Sequence, residues 1–523
     1  MTAEFDLVVV GAGAAGLLAA VAARRLGRRV LVVDADQLAG GSTAGSDGRL
    51  WLPANHLAAK LGVTDSTADA LAYLDALLGE PTAATGAARR AAYVRTAGKL
   101  GRWLTSSNIA LSPVKGLGDH LPSLPGAKPQ GRVLQAQAFD RHVLGEWDAQ
   151  LRPAAESGGN GLGRLLRRRR STATPGEALA AHLLHRATAN GVELWLDSPV
   201  VELLADDGGV SGVVVRRNDA EVRVTAAAVL LASGGFENDQ GLREEYLPLP
   251  TDTAWSTSSG RNTGEVLHLA TALGAATTGL DDAWWLPVMV AEGKAYSLDD
   301  VRGQAHSLIV DSAGDRFFDE SAPANTAGRA LYERSRGVRA VPSYLVMDNR
   351  HRQAHALGPW PAGNPPRRAL ENEEIVRAGT LNDLAQALGV DRAGLLGTVV
   401  RFNGFAGKGA DADFRRGETR GGVSAGAAGK RRKAGLGKVD KPPYWAVRVY
   451  PGDAGTKGGL LVDAAARALR TDGTVIAGLY ACGGAAGSLF PGVSPAPGAA
   501  LGAALVEAFL AVTDQSPERR LEL

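Results

Sequence analysis

The stretch FDLVVVGAGAAGLLAAVAARRLGRRVLVVD, residues 5–34, predicts the fold of this chain. Its apolar run from Phe5 to Val10 is rich in valine and too short to span a membrane, so it is typical of a buried parallel strand. A stretch rich in alanine and leucine follows as far as Leu26 and predicts a helix, which Gly27 is placed to end. Arg29 to Val33 predicts a second strand. Together these segments predict a strand–helix–strand unit.

The turn between the first strand and the helix has the composition of a phosphate-binding loop. Gly11 allows a tight turn, Gly13 lets the backbone approach a pyrophosphate, and Gly16 lets the helix pack closely on the sheet. Ala14 and Ala15 begin the helix, whose free N–H groups and positive dipole end favour bound phosphates. With a strand before it and a helix after it, this turn predicts a dinucleotide site.

The residues that follow the second strand indicate which dinucleotide is bound. Asp34 lies 18 residues beyond Gly16, where an acceptor for the ribose hydroxyls is expected. The Gly-rich segment GGSTA, residues 40–44, follows directly, and a nicotinamide-binding unit has no need of it. In flavoproteins a loop at this place continues toward the flavin. We therefore predict FAD, with further contacts from Gly41, Ser42, Thr43, Ser46, Asp47 and Gly48.

Later segments of the chain supply further predicted FAD contacts. The apolar run from Ala227 to Leu231 predicts a strand that ends on a pair of glycines beside the nucleotide. A helix predicted from Gly498 to Val512 can point its N-terminus at the pyrimidine end of the flavin, where its dipole stabilises negative charge. The predicted contacts in these and neighbouring segments are Val201, Ser233, Gly234, Gly483, Ala500 and Leu501.

Composition limits the class of protein. The net charge of +2, from 57 basic and 55 acidic residues, favours neither a nucleic-acid partner nor a membrane surface. The single cysteine, Cys482, excludes an internal disulfide framework and a cysteine-built metal site, and we predict no metal. The first strand begins close to the N-terminus, and no apolar run reaches the ~18 residues of a membrane helix. We expect a cytoplasmic enzyme without an integral membrane segment.

The predicted fold class is α/β: a Rossmann-like FAD-binding domain, a parallel sheet with helices, and an inserted α+β substrate or capping domain. The composition changes near residue 273 and no second nucleotide fingerprint follows, which predicts an FAD domain in two parts, 1–272 and 440–523, around an insertion, 273–439. Residues 106–153 are rich in proline and glycine and predict a long loop that forms a functional lid or a pocket wall. The five arginines of Arg164 to Arg170 fit either a segment that binds anionic lipid or a polyanion, or a solvated surface helix.

Motifs along nearly the whole chain resemble those of 3-ketosteroid Δ1-dehydrogenases, within the fumarate reductase/succinate dehydrogenase flavoprotein group. The motifs are GGSTA (40–44) with WLP (51–53), ASGGFE (232–237), NTG (262–264), DDAWW (281–285), DRFFDESAP (315–323), RFNGF (401–405), PGD (451–453), GTKGG (455–459) and GLYA (478–481). The resemblance implies that a tyrosine hydroxyl and a backbone N–H bind a ketone oxygen and acidify the neighbouring carbon. A tyrosinate-like base, assisted by another tyrosine, would take the proton, and flavin N5 the hydride. Stabilising the enolate is the main electrostatic task.

The chain departs from this pattern at all three tyrosines. Ser494 stands where the ketone-binding tyrosine belongs, and Ala324 stands where the base belongs. His120 or Leu121 replaces the assisting tyrosine. Gly498 remains and offers its backbone N–H. Because a general base and an oxyanion donor are each worth roughly 10²–10³ in rate, we expect negligible ordinary steroid Δ1-dehydrogenation.

Three functions remain open. The first is a flavin dehydrogenase or ene-reductase that acts at a CH–CH bond beside the carbonyl of another ketone or enone. Its replacement groups would come from His120, Ser494, Asp47 and Arg49, the last two standing where glycines are more usual in the family. The second is a fumarate-reductase-like enzyme whose unsaturated carboxylate is held by cations such as Arg49 and Arg261. The third is a flavoprotein without catalysis. The electron acceptor is not predicted.

Overall fold

The computed structural model describes residues 4–154, 172–417 and 435–515. The predicted βαβ unit forms as β1, α1 and β2, at the centre of a sheet with the order β19-β20-β10-β1-β2-β6. Neighbouring strands from β20 to β6 are parallel, and β19 is antiparallel to β20. The bounds are β1 Leu7–Val10, α1 Ala14–Arg25, β2 Val30–Val33, β6 Glu193–Trp195, β10 Val229–Leu231, β19 Arg467–Leu469 and β20 Val475–Ala481.

Both faces of this sheet are covered, which is why its strands are continuous apolar runs rather than alternating ones. On one face, Leu7 and Val9 pack into a core with α1, α5 (Pro175–Ala189) and α14 (Ala499–Asp514). On the other face, Val8 and Val10 pack against a three-stranded antiparallel sheet. The strands of that sheet are β7 Val200–Asp206, β8 Gly209–Arg217 and β9 Ala220–Thr225.

A second large sheet, with antiparallel pairing, has the order β13-β12-β17-β15-β14, with β16 also paired to β17. Its strands are β12 Ala283–Ala291, β13 Lys294–Ser297, β14 Ser307–Val310, β15 Ser343–Met347, β16 Val376–Ala378 and β17 Tyr444–Thr456. The helices of this region are α8 Asp299–Arg302, α9 Ala324–Ser335, α10 Asn349–Ala354, α11 Arg367–Glu371, α12 Leu381–Leu388 and α13 Arg392–Lys408. Separate apolar clusters on its two faces make it a second layer.

The pairing of β17 differs from the domain boundary drawn from the sequence. That boundary groups residues after 440 with the FAD domain, whereas β17 hydrogen-bonds to β12, β15 and β16 of the second sheet. A strand's partners are set by tertiary packing, so the apolar pattern of residues 444–450 did not indicate which sheet they join.

The region from 106 to 153 differs from the predicted long loop. It contains two short strands, β4 Leu111–Pro113 and β5 Val133–Ala136, which form an antiparallel sheet with β3, Arg49–Trp51. A 3₁₀ segment, Arg141–Gln150, follows. Strands this short have too few residues for a periodic pattern. The chain before this region forms a 3₁₀ helix, His56–Leu61, and two α-helices, α3 Thr67–Leu78, capped by Ser66, and α4 Ala87–Ser106.

The remaining elements connect these layers. They are α2 Gly41–Ala44, α6 Gln240–Tyr246, α7 Glu265–Ala272, β11 Thr277–Thr278, β18 Gly459–Leu460 and the 3₁₀ turns Thr253–Trp255 and Gly483–Ala485. Within the three described ranges, no helix has the length and apolar character needed to cross a bilayer. The arginine run at 164–170 lies outside the described residues.

Candidate active site

A cavity of about 630 Å³ lies at the carboxyl ends of β1, β2 and β10. In open α/β sheets this edge is where dinucleotides bind. Most of the predicted FAD contacts line it: Gly11, Gly13, Ala14, Ala15, Asp34, Gly41, Ser42, Thr43, Val201, Ser233, Gly234, Gly483 and Leu501. Tertiary folding therefore brings together five segments of chain that are far apart in sequence.

The other predicted FAD contacts lie outside the cavity lining. A side chain at Gly16 would place its Cβ 1.9 Å from the carbonyl oxygen of Gly11, so this glycine permits the close helix–turn packing. The Ser46 hydroxyl donates to the carbonyl of Thr43 and accepts from the N–H of Gly48. Asp47 and Ala500 are exposed. Direct contact of these residues with FAD stays a prediction.

Two features of the cavity wall match the needs of FAD. A Cβ added at Gly13 would meet no atom within 4 Å, so it would project into the open cavity where the turn meets α1. The hydroxyl of Ser233 is buried in the wall and has no hydrogen-bond partner in the described structure. Because a buried polar atom rarely lacks a partner, this hydroxyl is suited to a cofactor oxygen or nitrogen.

The carboxylate of Asp34 has two tasks at the end of β2. Its Oδ2 accepts the N–H of Ala12 at 2.6 Å, and its Oδ1 accepts the N–H of Asp36 at 2.8 Å. Burial raises the pKa of Asp34, and the two backbone N–H groups oppose that effect. Each carboxylate oxygen keeps a second lone pair, so Asp34 can hold the glycine turn and still accept a ribose hydroxyl.

A group of charged residues in the cavity wall was not predicted from the sequence. The carboxylate of Asp36 pairs with the guanidinium groups of Arg152 and Arg261, the latter at 3.5 Å. Arg152 reaches this place because its loop pairs with Ala39. Arg152 lies 116 residues from Asp36, and no local pattern marks it. Arg261, which the sequence analysis named as a possible clamp for a carboxylate substrate, thus lies in the wall of the nucleotide cavity.

Gly498 lies where α14 meets β3. Its φ of +84° is in the left-handed region, and an added Cβ would be 2.6 Å from the carbonyl carbon and oxygen of Arg49. Its carbonyl accepts the N–H of Trp51 at 3.0 Å. No hydrogen-bond acceptor for the N–H of Gly498 is found among the described residues. This N–H begins the helix and is available to an incoming oxygen.

His120 is held against the loop that precedes α14, residues 491–498, here termed the carbonyl loop. Its ring Nδ1 lies 3.0 Å from the carbonyl oxygen of Ser494, and its backbone N–H donates to the carbonyl of Pro495 at 2.8 Å. Since a carbonyl oxygen only accepts, Nδ1 carries the hydrogen and Nε2 carries the free lone pair. Burial lowers the pKa of His120 to about 4, so the ring is neutral at pH 7.

Asp119, which was not selected from the sequence, anchors the segment that carries His120. Its carboxylate accepts from Trp51 Nε1 at 2.9 Å, from the N–H of Lys128 at 2.8 Å and from Arg132 at 2.7 Å. Arg132 also pairs with Asp65, and both partners are almost fully buried. This network anchors the 118–122 segment on β3, beside the segment that contacts Gly498.

The remaining catalytic candidates are placed differently. The Ser494 hydroxyl is half-buried and donates to the carbonyl of Ala496 at a long 3.4 Å. Arg49 pairs with Asp47 at 2.9 Å, where the Asp47 side chain is 70 % exposed. The Nε of Arg49 is buried without a partner in the described structure. The structure thus brings His120, Ser494 and Gly498 together at the carbonyl loop, and leaves Asp47 at the surface.

The start of α9 also adjoins the carbonyl loop. Ala324 is the first residue of α9, and the side-chain N–H of the next residue, Asn325, donates to the carbonyl of Gly492 at 3.1 Å. The methyl group of Ala324 cannot accept a proton. Among Ala324, Ser494 and His120, only the imidazole of His120 is an effective acid–base group.

The nucleotide cavity and the βαβ fold define an FAD-binding flavoprotein. The family of the FAD binding domain, FAD_binding_2, matches residues 6–501, and the chain belongs to it. The chain is an FAD-dependent oxidoreductase that acts on CH–CH donors, within the group of the 3-ketosteroid Δ1-dehydrogenases. The resemblance, fold class and cofactor predicted from the sequence are thereby confirmed.

Three relatives illustrate this membership. The chain is 34% identical to a 3-oxosteroid 1-dehydrogenase of Mycobacterium tuberculosis (strain ATCC 25618 / H37Rv), over 99% of both proteins. It is 32% identical to a 4-oxocyclohexanecarboxylate 2-dehydrogenase of Sinomonas cyclohexanicum, over 97% of this chain and 92% of that protein. The crystal structure of 3-ketosteroid Δ1-dehydrogenase from Sterolibacterium denitrificans with 1,4-androstadiene-3,17-dione has a TM-score of 0.91 and 34% identity, over 98% of this chain and 99% of that chain.

Proposed function

We propose that this chain dehydrogenates a cyclic ketone at the CH–CH bond beside the carbonyl, with His120 in place of the family's tyrosines. The contact between His120 Nδ1 and the Ser494 carbonyl carries this proposal, because it leaves Nε2 as a proton acceptor beside the loop that leads to Gly498. A free imidazole nitrogen at this place supports an active site that differs from that of the family rather than one that has lost catalysis. Bound FAD supplies the acceptor for the hydride.

The first task of the protein is to acidify the carbon beside the carbonyl. The free N–H of Gly498 and the positive end of the α14 dipole both favour negative charge on a carbonyl oxygen. The Ser494 hydroxyl is a candidate second donor, because its own bond to Ala496 is long. A serine is shorter than a tyrosine, so the ketone would lie deeper in the site, or a water molecule would bridge the gap.

The second task is to accept the proton. A base with a pKa of about 4 is weak, but it is fully unprotonated at neutral pH. Carboxylate bases with a pKa of about 4.6 remove such protons where the developing oxyanion is well stabilised. Asp299 at the start of α8 favours the protonated ring electrostatically, and so supports the product of proton transfer.

The names of two relatives guide the choice of substrate. One is a dehydrogenase of 3-oxosteroids and the other of 4-oxocyclohexanecarboxylate, and both names describe a ketone. A six-membered cyclic ketone is the shared chemistry that we propose for this chain.

The test is anaerobic bleaching of the visible flavin absorbance. The purified FAD-loaded protein is mixed with 4-oxocyclohexanecarboxylate or with 4-androstene-3,17-dione, and the product is examined for a new carbon–carbon double bond. We expect bleaching with the smaller ketone, and a rate roughly 10²–10⁴ lower in His120→Gln. A fully oxidised flavin with every cyclic ketone tried would contradict the proposal.

The alternative of an unsaturated-carboxylate reductase has less support. It needs free cationic side chains to clamp the substrate. Arg49 is paired with Asp47, and Arg261 lies at the nucleotide cavity with Asp36. Reoxidation of the photoreduced flavin by an unsaturated carboxylate, but not by an enone, would favour this alternative. Photoreduction without reoxidation by either would favour a flavoprotein that has lost catalysis.

A further inference from the structure

A buried ion pair lies behind the carbonyl loop. The ammonium group of Lys457 is 3.3 Å from the carboxylate of Asp282, and both residues are less than a tenth exposed. The same ammonium lies 4.6 Å from the ring centroid of Trp284. A buried charge pair is costly to desolvate and weak evidence for a stabilising role. The presence of this buried pair beside the carbonyl loop therefore suggests a role other than stability.

The pair makes direct hydrogen bonds to the carbonyl loop. The Lys457 ammonium donates to the carbonyl of Val493 at 2.9 Å, the residue immediately before Ser494. The carboxylate of Asp282 accepts the N–H of Gly492 at 2.7 Å. Two successive backbone groups of the loop are therefore bound by the two members of one ion pair.

The same lysine reaches the start of α9. Its ammonium donates to the side-chain oxygen of Asn325 at 3.2 Å, and the amide nitrogen of Asn325 donates to the carbonyl of Gly492. Asn325 follows Ala324, the position of the base in the resembling family. Lys457 thus connects the two segments between which the ketone would be held.

The charged groups that face Lys457 are Asp282, before β12, and Arg329, on α9. Burial lowers the pKa of Lys457 to about 8, Asp282 opposes this effect, and Arg329 adds to it. The ammonium is therefore charged at pH 7 and loses its charge as the pH rises through about 8. The neutral amine binds a carbonyl less strongly than the ammonium does.

We propose that Lys457 is a positioning residue for the reaction, which acts through the carbonyl of Val493 and, with Asp282, holds the carbonyl loop against the start of α9. This inference rests on the proposed function, since it assigns a purpose to the loop that carries Ser494 and Gly498. Lys457 belongs to the GTKGG segment, residues 455–459, and does not line the nucleotide cavity.

The experiment compares four variants of the FAD-loaded protein. Lys457→Met removes the cation, Asp282→Asn removes the anion, and the double variant removes both, so that no unpaired charge stays buried. Lys99→Met is the matched control, because Lys99 is exposed on α4. Amide hydrogen exchange of the 488–498 peptide at pH 7 reports the order of the loop without any substrate.

We expect exchange in this peptide to rise about tenfold or more in Lys457→Met and in the double variant, and to stay unchanged in Lys99→Met. The rate of flavin bleaching at saturating ketone should fall roughly ten- to a hundredfold in the same two variants. In the wild type that rate should decline as the pH rises through about 8, and Lys457→Met should lack this decline. If Lys457→Met does not fold, the exchange and bleaching rates of the double variant decide whether the pair positions the loop.

Unchanged exchange of the peptide in Lys457→Met and in the double variant would overturn the proposal, whether or not a substrate is found. Faster exchange with an unchanged bleaching rate would also overturn it, because the pair would then serve stability alone. A wild-type protein that reacts with no ketone contradicts the proposed function instead. In that case the exchange data alone still decide whether Lys457 holds the loop.

Discussion

The imidazole Nδ1 of His120 lies 3.0 Å from the main-chain carbonyl oxygen of Ser494, and the two residues are 374 positions apart in sequence. This contact joins the 118–122 segment to the carbonyl loop. It also determines the tautomer of the ring, because the carbonyl requires a hydrogen on Nδ1.

His120→Gln tests the ring as a base. A glutamine amide can still donate to the Ser494 carbonyl, but it cannot accept a proton, so the rate of flavin bleaching should fall roughly 10²–10⁴. The wild-type rate should be maintained as the pH is lowered to about 5 and decline as it nears the pKa of about 4. His142→Gln, at an exposed histidine, is the control. Equal rates for wild type and His120→Gln would exclude the ring as the base.

The same histidine should affect stability in acid. Its pKa of about 4 in the folded protein is below the ordinary 6.5, so the unfolded chain binds the extra proton between these two values. The resulting stability is present above pH 6.5 and is lost as the pH falls toward 4. Between pH 6.5 and pH 5 the loss is about 2 kcal/mol. Urea unfolding at both pH values should show a correspondingly smaller loss in His120→Gln, and an equal loss would contradict the buried neutral ring.

Gly13→Val should abolish FAD binding. The valine side chain would enter the open space beyond Gly13, where the pyrophosphate is expected against the start of α1. The measurement is the ratio of flavin to protein absorbance after purification, with Gly397→Val on α13 as a control, since Gly397 also has open space around it. Acid precipitation of the wild type should release the yellow cofactor. Colour that stays in the pellet would show a covalent bond, contrary to expectation.

Ser494→Ala tests the second carbonyl donor. If the hydroxyl binds the ketone oxygen, the variant should keep its FAD and reduce it roughly ten- to a thousandfold more slowly. Ser106→Ala is a suitable control, because the exposed Ser106 hydroxyl also donates to a main-chain carbonyl, that of Trp103. An unchanged rate would show that the Ser494 hydroxyl stabilises only its own loop.

Steroid turnover should be negligible. Ala324 and Ser494 supply neither the base nor the long hydroxyl donor that the resemblance implies. Without these two groups the rate of steroid dehydrogenation should be several orders of magnitude lower. Dehydrogenation of 4-androstene-3,17-dione can be measured beside the Sterolibacterium denitrificans enzyme. A rate within about tenfold of that enzyme would mean that another residue supplies the base.

Much of the nucleotide site was predictable because its elements are local. The spacing of Gly11, Gly13 and Gly16, the apolar strand before them and the helix after them depend on neighbours a few residues away. Strand, turn and helix preferences act over that range. The βαβ unit, the parallel pairing of its strands and the glycine turn in the cavity lining followed from these signals.

Tertiary structure alone decided which distant groups meet. β17 joins the second sheet rather than the first, Arg152 reaches Asp36, and Lys457 pairs with Asp282. Each of these pairings depends on how whole layers pack, which no local periodicity records. The sequence by itself determined the FAD-binding fold. Only the packed structure decided that His120 would face the carbonyl loop, because that contact requires segments 374 residues apart to lie side by side.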